Sequence, residues 1–204
     1  MARIVKKPKE RRSDILNAAR KLFNTKGYEN TTIQDVMSYL DIAKGTIYHY
    51  FKSKEELLEA AVYELVDMNF AEMDESLQNA QGDALTKFKL LVKKGNISGE
   101  NQGILEHLNS PKNQAMHCRV LAVMIGKHAT LYAKVIDQGC KEKLFKTDNP
   151  LECAEFFLSG IQFLTDTGFY PWANQEIARR VKAFPRIMEQ LLGAQSGTFK
   201  FLSE

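Results

Sequence analysis

The chain has 204 residues, 44% of them hydrophobic and 26% charged, which is the composition of a globular protein and excludes a disordered or fibrous one. No run of about 18 apolar residues occurs, so no membrane-spanning helix is expected, and the basic N-terminus lacks the apolar stretch of a signal peptide. The cysteines Cys118, Cys140 and Cys153 match no zinc-binding spacing. We expect a reducing, cytoplasmic location, no metal and no cofactor.

Charge is distributed unevenly along the chain. Residues 1–54 hold twelve Lys/Arg and five Asp/Glu, a net charge of +7, whereas residues 55–204 hold sixteen and twenty, a net charge of −4. This asymmetry is typical of a polyanion-binding domain joined to a domain that does not bind polyanions, and a solvated charged surface is the alternative. The first twelve residues predict a basic arm that either contacts DNA or is a disordered tail.

The first predicted helix runs from Ser13 or Asp14 to Lys26. Its apolar residues recur at spacings of three and four and form one stripe, namely Ile15, Ala18, Ala19, Leu22 and Phe23. Gly27 is expected to end this helix in a left-handed conformation. Tyr28 follows and is expected to pack back on the helices.

The second predicted helix begins at one of two threonines. Thr31 with Gln34, or Thr32 with Asp35 in the next register, has the spacing of a capping box. Its buried face is expected to consist of Ile33, Val36, Met37 and Leu40. Asp41 lies in the turn that follows this helix.

Residues 43–50 predict a short third helix, so that the second and third helices form a helix-turn-helix unit. Ile47 and Phe51, four residues apart, are expected to hold one face of the third helix against the first two. The opposite face offers Lys44, Thr46, Tyr48 and His49. Gly45 costs helix stability, roughly 1 kcal/mol against alanine. A backbone that must approach another molecule closely would explain that cost.

The remainder of the chain also shows helical periodicity, so the predicted fold class is all-α. Ser53 and Glu56 open a long fourth helix over about 54–78, which links the N-terminal part to the rest. Further helices are predicted over about 84–94, 104–108, 111–139, 150–168 and 175–192. Asn174 is expected to cap the last helix, and Pro185 is expected to kink or split it. The segment after Gly193 has no predicted position.

Residues 11–58 resemble the DNA-binding domain of the tetracycline-repressor (TetR) family of bacterial regulators. The matching positions are Ile15, Ala18, Ala19, Leu22, Phe23, Gly27, Tyr28, Thr31, Thr32, Lys44, Gly45, Thr46, Tyr48, Phe51, Lys54 and Leu57. Two positions depart from the family pattern, which usually has glycine in place of Asp41 and serine in place of Ala43. Aspartate tolerates turn conformations, and its side chain is able to cap the third helix.

The resemblance implies two domains: residues 1–53 form an arm and a three-helix DNA-binding domain, and residues 54–204 form a larger helical bundle for ligand binding and dimerisation. It implies that Lys44, Thr46 and Tyr48 face the major groove of double-stranded DNA, where Gly45 lets the backbone approach. It also implies that phosphates are held by Thr31, Thr32, His49 and Lys54. A lysine ammonium can donate to guanine O6 or N7, and the methyl group of threonine can contact thymine. Core packing is the alternative for Tyr48 and for Tyr50.

For the C-terminal part the resemblance implies a small-molecule effector and a homodimer built from the last two long helices. A two-fold pair of recognition helices would read a palindromic site. The interface candidates are Leu158, Ile161, Leu164, Val181, Ile187, Met188 and Leu191. The ligand-binding candidates are Phe70, Met73, Phe88, Met116, His117, Leu121, Met124, His128, Phe156, Gln162, Phe163, Asp166 and Trp172. Monomer core is the alternative for members of both sets.

The sequence therefore predicts a ligand-responsive transcriptional regulator, a repressor that a small, largely apolar ligand releases from its operator. A DNA-binding regulator that answers to a partner protein, or to no small molecule, is the second interpretation. A third is an all-helical enzyme with a basic N-terminal part, built on His107, His117, His128, Cys118 and Asp166. The sequence contains no HExxH, GxSxG or phosphate-loop motif to support an enzyme.

Overall fold

The computed structural model describes residues 7–95, 101–168 and 170–203, and within these ranges it contains helices and no strand. The α-helices are α1 (Pro8–Lys26), α2 (Ile33–Leu40), α3 (Lys44–Tyr50), α4 (Lys54–Asn79), α5 (Ala84–Lys94), α6 (Gln102–Leu108), α7 (Gln114–Lys141), α8 (Pro150–Thr165) and α9 (Asn174–Leu191). Two short 3-10 helices cover Pro111–Asn113 and Lys200–Leu202. The predicted all-α fold class is confirmed.

The chain divides into two compact units. We call Met1–Val66 with Ser98–Ser110 the head, and Asp67–Ile97 with Pro111–Glu204 the body. The predicted division after residue 53 is simpler, because the structure gives half of α4, and all of α6, to the head. The polypeptide consequently passes between the two units three times.

The first helix of the head is longer than predicted. It begins at Pro8, whose missing N–H costs nothing at the first helical position, and the Lys7 N–H donates to the Glu10 carboxylate at 3.3 Å. Residues 8–12 of the predicted arm are therefore helical, and residues 1–6 lie outside the described ranges. Along α1, Ile15 and Phe23 are fully buried, as the apolar stripe predicts.

The register of α2 is set by Thr32 and Asp35. The Asp35 N–H donates to the Thr32 hydroxyl oxygen at 3.1 Å, and the Thr32 N–H donates to the Asp35 carboxylate at 2.8 Å. Asp41 then adopts the left-handed conformation, φ 51° and ψ 53°, and closes the C-terminus of α2. Ala43 is the N-cap of α3 and makes no side-chain capping hydrogen bond. Asp41 thus ends one helix, and the expectation that it caps the next is wrong.

The body packs around Phe88, which is fully buried on α5. The Phe88 ring centroid lies 5.1 Å from that of Tyr132 on α7 and 5.8 Å from that of Phe157 on α8. Phe199, in the segment that the sequence left without a position, is also fully buried and lies 5.2 Å from Phe88. Residues after α9 therefore complete the core of the body.

Several helix boundaries in the body differ from the predictions, among them the end of α8, which lies at Thr165 and not near 168. A 3-10 turn, Pro111–Asn113, precedes α7, so the long helix begins three residues after Pro111. Ala173 is the N-cap of α9, and Asn174 is its first helical residue. The assigned helix α9 continues through Pro185 without a break. Gly193 follows α9 in a left-handed conformation with φ 56°, which suits glycine at a helix end.

Candidate DNA-binding interface and ligand cavity

One face of α3 anchors the helix in the head. Ile47 is fully buried and Phe51, directly after the helix, is 1% exposed. On the other face Lys44, Gly45, Tyr48 and His49 are exposed and Thr46 is half-buried; Tyr48 has 42% of its surface exposed. The structure thus brings the predicted base-reading residues together on one accessible face. Tyr50 is half-buried, and its ring meets that of His49 edge-on with centroids 5.0 Å apart.

Gly45 is not required by the packing of the head. A Cβ atom added at this residue would meet nothing within 4 Å, and the backbone there does not have a positive φ. The residue is exposed and lies in the first turn of α3. The fold therefore tolerates a side chain here, and the reason for a glycine must be sought outside the free protein.

The Lys44 side chain is free to reach a partner. Its ammonium lies 5.7 Å from the centroid of the Tyr48 ring, a loose cation–π contact that leaves the charge in solvent. Arg12 of α1 supplies a second cation near this helix, because its guanidinium lies 5.2 Å from the centroid of Phe51. The sequence pattern missed Arg12 as a positioned residue, since residues 1–12 were interpreted as an arm.

Thr31 serves the fold of the head. It is fully buried, and its hydroxyl lies 2.8 Å from the Gly27 carbonyl oxygen and 3.2 Å from that of Leu22. This geometry contradicts the prediction that the Thr31 side chain contacts a phosphate. Thr32 is exposed, but its hydroxyl donates to the Asp35 carboxylate at 2.7 Å. The hydrogen bond from Lys26, followed by those from Thr32, holds the pKa of Asp35 well below its usual range.

Lys54 holds together the loop between α1 and α2. Its ammonium donates to the carbonyl oxygens of Tyr28 at 2.9 Å and Thr31 at 3.0 Å, and it lies 4.0 Å from the centroid of the Tyr28 ring. Burial, with smaller contributions from the charges of Glu55 and Glu29, raises the pKa of Tyr28 to about 12. The phosphate contact predicted for Lys54 stays a prediction, and in the free protein its charge is engaged internally.

Helix α6 is part of the head although it lies between two helices of the body in sequence. The Ile104 N–H donates to the side-chain oxygen of Asn24 at 3.3 Å, and the His107 ring stacks on Tyr28 with centroids 3.8 Å apart. A Cβ atom at Gly103 would lie 3.1 Å from the Phe23 carbonyl oxygen, so glycine permits the close approach of α6 to α1. The short apolar pattern of α6 gave no signal of this partner.

The body contains a cavity of about 390 Å³. Apolar side chains form most of its wall, namely Val92, Met124, Ile125, Phe157, Leu158, Ile161 and Leu202. Gly95, His128, Tyr132, Gln162 and Thr165 complete the lining. Met124, His128 and Gln162 were predicted as ligand-binding residues, and the structure places all three at this cavity.

Most other ligand-binding candidates lie elsewhere. Phe88 and Met73 are fully buried in the hydrophobic core of the body, and Phe70 packs against that core. Met116 is buried and Leu121 half-buried on α7. Phe156 and Phe163 are exposed on α8, with 69% and 45% of their surfaces accessible. None of these seven residues lines the cavity.

His117 and Asp166 form a buried pair. The His117 Nε2 lies 3.0 Å from the Asp166 Oδ2, which also accepts from the Gln162 amide at 3.2 Å, and the Gly168 N–H donates to the Asp166 Oδ1 at 2.8 Å. Burial alone would raise the pKa of Asp166, but the hydrogen bond and charge of His117 keep that pKa below its ordinary value. The pair ties the first turns of α7 to the C-terminus of α8. Trp172, which follows this pair in sequence, makes a separate contact: its indole N–H donates to the Phe163 carbonyl oxygen at 3.1 Å.

The predicted interface residues divide into three groups. Met188 is 1% exposed and belongs to the core of the body, and Leu191 packs against that core. Leu158 and Ile161 line the cavity. Ile187 is 47% exposed, whereas Leu164 and Val181 are half-buried. The most exposed apolar stripe of α8 instead contains Phe156, Gly160 and Phe163, spaced by four and three residues, and of these only Gly160 is half-buried.

The α2–turn–α3 unit and its exposed basic and aromatic face define the class of protein: a helix-turn-helix DNA-binding regulator with a separate helical body. Within the described residues, no helix is long and apolar enough to cross a membrane, and no group of three or more His, Cys, Asp or Glu side chains is placed to hold a metal ion.

Comparison with known proteins identifies the family. Residues 15–61 match the family described as bacterial regulatory proteins, tetR family, and residues 96–187 match the tetracyclin repressor-like C-terminal domain. The transcriptional repressor KstR2 of Rhodococcus jostii is 24% identical over 87% of this chain and 89% of its own length. KstR2 of Mycolicibacterium smegmatis is 33% identical over 73 residues, 36% of each chain. A solved transcriptional regulator from Cytophaga hutchinsonii is 25% identical, with a TM-score of 0.58 over 88% of this chain and 93% of that one.

The chain belongs to the TetR family of bacterial regulatory proteins. This confirms the resemblance predicted from residues 11–58. The protein is a transcriptional regulator and not an enzyme.

Proposed function

We propose that this protein is a ligand-responsive transcriptional repressor that binds a palindromic operator as a homodimer and leaves it when a small molecule fills the cavity of the body. The observation that carries the proposal is α3, which is pinned by Ile47 and Phe51 and presents Lys44, Tyr48 and His49 to solvent. The repressor names of the KstR2 relatives support repression over activation. Because the operator lies on the bacterial chromosome, the proposed site of action is the cytoplasm.

In the proposed complex α3 enters the major groove. Lys44 donates to guanine O6 or N7, and the Thr46 methyl packs on thymine. Tyr48 also faces the groove, and His49 and Thr32 contact phosphates, the latter at the N-terminus of α2. Gly45 allows the backbone of α3 to approach the DNA, which fits the open space around it. Arg12 joins this set as a phosphate contact. In place of the phosphate contacts predicted for them, Thr31 and Lys54 hold the loop before α2, because their side chains are engaged within the head.

The proposed dimer uses the exposed apolar surface of the last two long helices. Phe156 and Phe163 on α8 and Ile187 on α9 are large apolar side chains with nearly half or more of their surface accessible. A Cβ atom at Gly160 would meet nothing within 4 Å of this chain, so the glycine leaves room for a second helix to pack closely. Two copies of the head then present two α3 helices to the half-sites of a palindrome.

The proposed coupling uses the three chain connections between head and body. Half of α4 belongs to each unit. Helix α6 packs on α1, while the chain directly before residue 98 and directly after residue 110 belongs to the body. A ligand that binds one arrangement of these connections better than another shifts the dimer away from the geometry that fits the operator. The ligand therefore lowers operator affinity by the ratio of its affinities for the two arrangements.

A salt titration of operator binding tests the DNA half of this proposal. The purified chain is titrated against a labelled duplex from the promoter region of its own gene, and against a scrambled duplex, between 50 and 200 mM salt, a range over which several phosphate contacts cost about a thousandfold or more in affinity. Specific binding with a steep salt dependence is expected. Lys44→Ala should relax specificity at one base pair per half-site by about 1–3 kcal/mol. Equal affinity for both duplexes would overturn the proposal.

A further inference from the structure

The cavity of the body has a chemical character that specifies its ligand. Among the described residues that line it, none is an Asp, Glu, Lys or Arg. A charged ligand would therefore lose its hydration without gaining a counter-charge, which is unfavourable in a largely apolar site. Its volume of about 390 Å³ is at the small end of the range for small-molecule pockets. These features favour an uncharged and compact molecule.

His128 supplies the polar recognition group. The residue is 4% exposed, and its Nε2 is fully buried with no hydrogen-bond partner among the described residues. Buried polar atoms are almost always paired, so an unpaired imidazole nitrogen at a cavity wall indicates a group that a ligand satisfies. Burial lowers the pKa of His128, which keeps the ring neutral at pH 7 and consistent with an uncharged partner.

Of the other polar side chains at the cavity, Gln162 and Thr165 each use a donor within the body, whereas the hydroxyl of Tyr132 is able to donate to a ligand or accept from it. The Gln162 amide donates to Asp166 at 3.2 Å, and the Thr165 hydroxyl donates to the Ile161 carbonyl at 2.8 Å. A ligand group that both donates and accepts can use the remaining acceptor capacity here, and it can pair with His128 in either tautomer. A hydroxyl group has this property, whereas a carbonyl oxygen can only accept. The chemistry of the wall thus matches an alcohol or a phenol.

We propose that the body cavity binds an uncharged, largely apolar molecule whose hydroxyl group forms a hydrogen bond with Nε2 of His128. This rests on the proposed function, because it names the class of effector that the regulator senses. It also assigns the specificity of the site to one residue. His128 selects the hydroxyl group, and the surrounding apolar side chains select a hydrophobic framework.

The test uses matched probes on the full chain, followed by calorimetric titration. The probes are 1-naphthol, naphthalene, 1-naphthoate and 1-naphthylmethylammonium, with 4-hydroxybiphenyl and biphenyl as a second, larger pair. Each hydroxyl probe is expected to bind about tenfold more tightly than its parent hydrocarbon, the effect of one added hydrogen bond. The two charged probes are expected to bind more weakly than naphthalene.

Two variants assign the selectivity to His128. His128→Leu removes the polar atom and should make each hydroxyl probe bind no better than its hydrocarbon. His128→Gln keeps a hydrogen-bonding group and should retain part of the preference. In the free protein His128→Leu should melt at the same temperature as the wild type or higher, because it deletes an unpaired buried nitrogen. A lower melting temperature for the free variant would indicate a structural histidine and overturn the proposal.

The remaining outcomes also decide the proposal. Equal affinity for the hydroxyl probe and hydrocarbon in both pairs, tighter binding of a charged probe, or no binding of either hydroxyl probe overturns it. Operator binding is measured separately with 1-naphthol present. If 1-naphthol binds through His128 but operator affinity is unchanged, the ligand assignment stands and the proposed coupling fails. If an uncharged ligand releases the operator equally well from the wild type and from His128→Leu, the coupling stands and this inference fails.

Discussion

Replacing Gly45 by alanine separates the needs of the fold from the needs of DNA binding. The added methyl group would meet nothing within 4 Å in the free protein, and the backbone is in an ordinary conformation. Alanine restricts the unfolded chain and suits a helix better than glycine, so Gly45→Ala should stabilise the head by up to about 1 kcal/mol. The same methyl group would stand between the α3 backbone and the DNA. Operator affinity should therefore fall about tenfold or more, the equivalent of 1.4 kcal/mol.

The matched control is Gly126→Ala in α7. Gly126 is exposed within a helix, and a Cβ atom there also meets nothing within 4 Å. This variant should gain similar stability while binding the operator like the wild type. Urea denaturation followed by circular dichroism measures the first effect, and fluorescence anisotropy with a labelled duplex at fixed salt measures the second. The explanation of Gly45 by close approach is refuted if Gly45→Ala binds the operator as tightly as Gly126→Ala.

Three further predictions test other parts of the molecule. Lys54→Met removes the charged hydrogen bonds to the carbonyls of Tyr28 and Thr31 and should lower the free energy of unfolding by about 1–3 kcal/mol. It should leave the salt slope of operator binding unchanged, and a slope reduced by about one would show a direct phosphate contact instead. Phe156→Glu replaces a side chain that is 69% exposed with a charged one, so it should dissociate the dimer in sedimentation experiments without unfolding the chain. The control Leu151→Glu, at a 39% exposed position on another face of α8, should leave the dimer intact. A dimer that survives Phe156→Glu must use a different surface. Because burial depresses the pKa of His128, the unfolded chain takes up a proton more readily, and the stability of the ligand-free protein should fall as the pH drops below about 6.5. Urea denaturation at pH 5.5 and 7.5 measures this loss, which His128→Leu should reduce; an unchanged pH dependence in that variant would contradict the assignment to His128.

The helix-turn-helix unit was predictable because its signals are local. The spacing of Ile47 and Phe51 identified the buried side of α3, and both residues are buried. The two capping registers of α2 could not be distinguished from sequence, because Thr31 and Thr32 each have a suitable partner three residues on. The structure decides between them through contacts with the preceding helix. The Thr31 hydroxyl donates to the carbonyl oxygens of Gly27 and Leu22, so Thr32 caps α2.

The cavity and the packing of the C-terminal segment could not be predicted from local sequence patterns. Phe199 lies outside every segment with helical periodicity, yet its ring contacts those of Phe88 and Phe145, which are more than fifty residues away in sequence. Helix α8 is apolar on several faces, and periodicity cannot say which face meets the core, the cavity or solvent. Phe156 and Phe163 therefore looked like ligand contacts, although the structure leaves them exposed. Met188 on α9 was assigned to an interface because the periodicity of that helix likewise does not say which face meets the core, where the structure places it.

The placement of α6 has a consequence for engineering and recombination among related regulators. A chimera made by a single crossover after α4 would join the α1 of one parent to the α6 of the other. The Asn24–Ile104 hydrogen bond, the Tyr28–His107 stack and the close approach at Gly103 would then have to form between residues of different parents. A functional exchange of DNA specificity should therefore require two crossovers, so that residues 98–110 travel with their own α1.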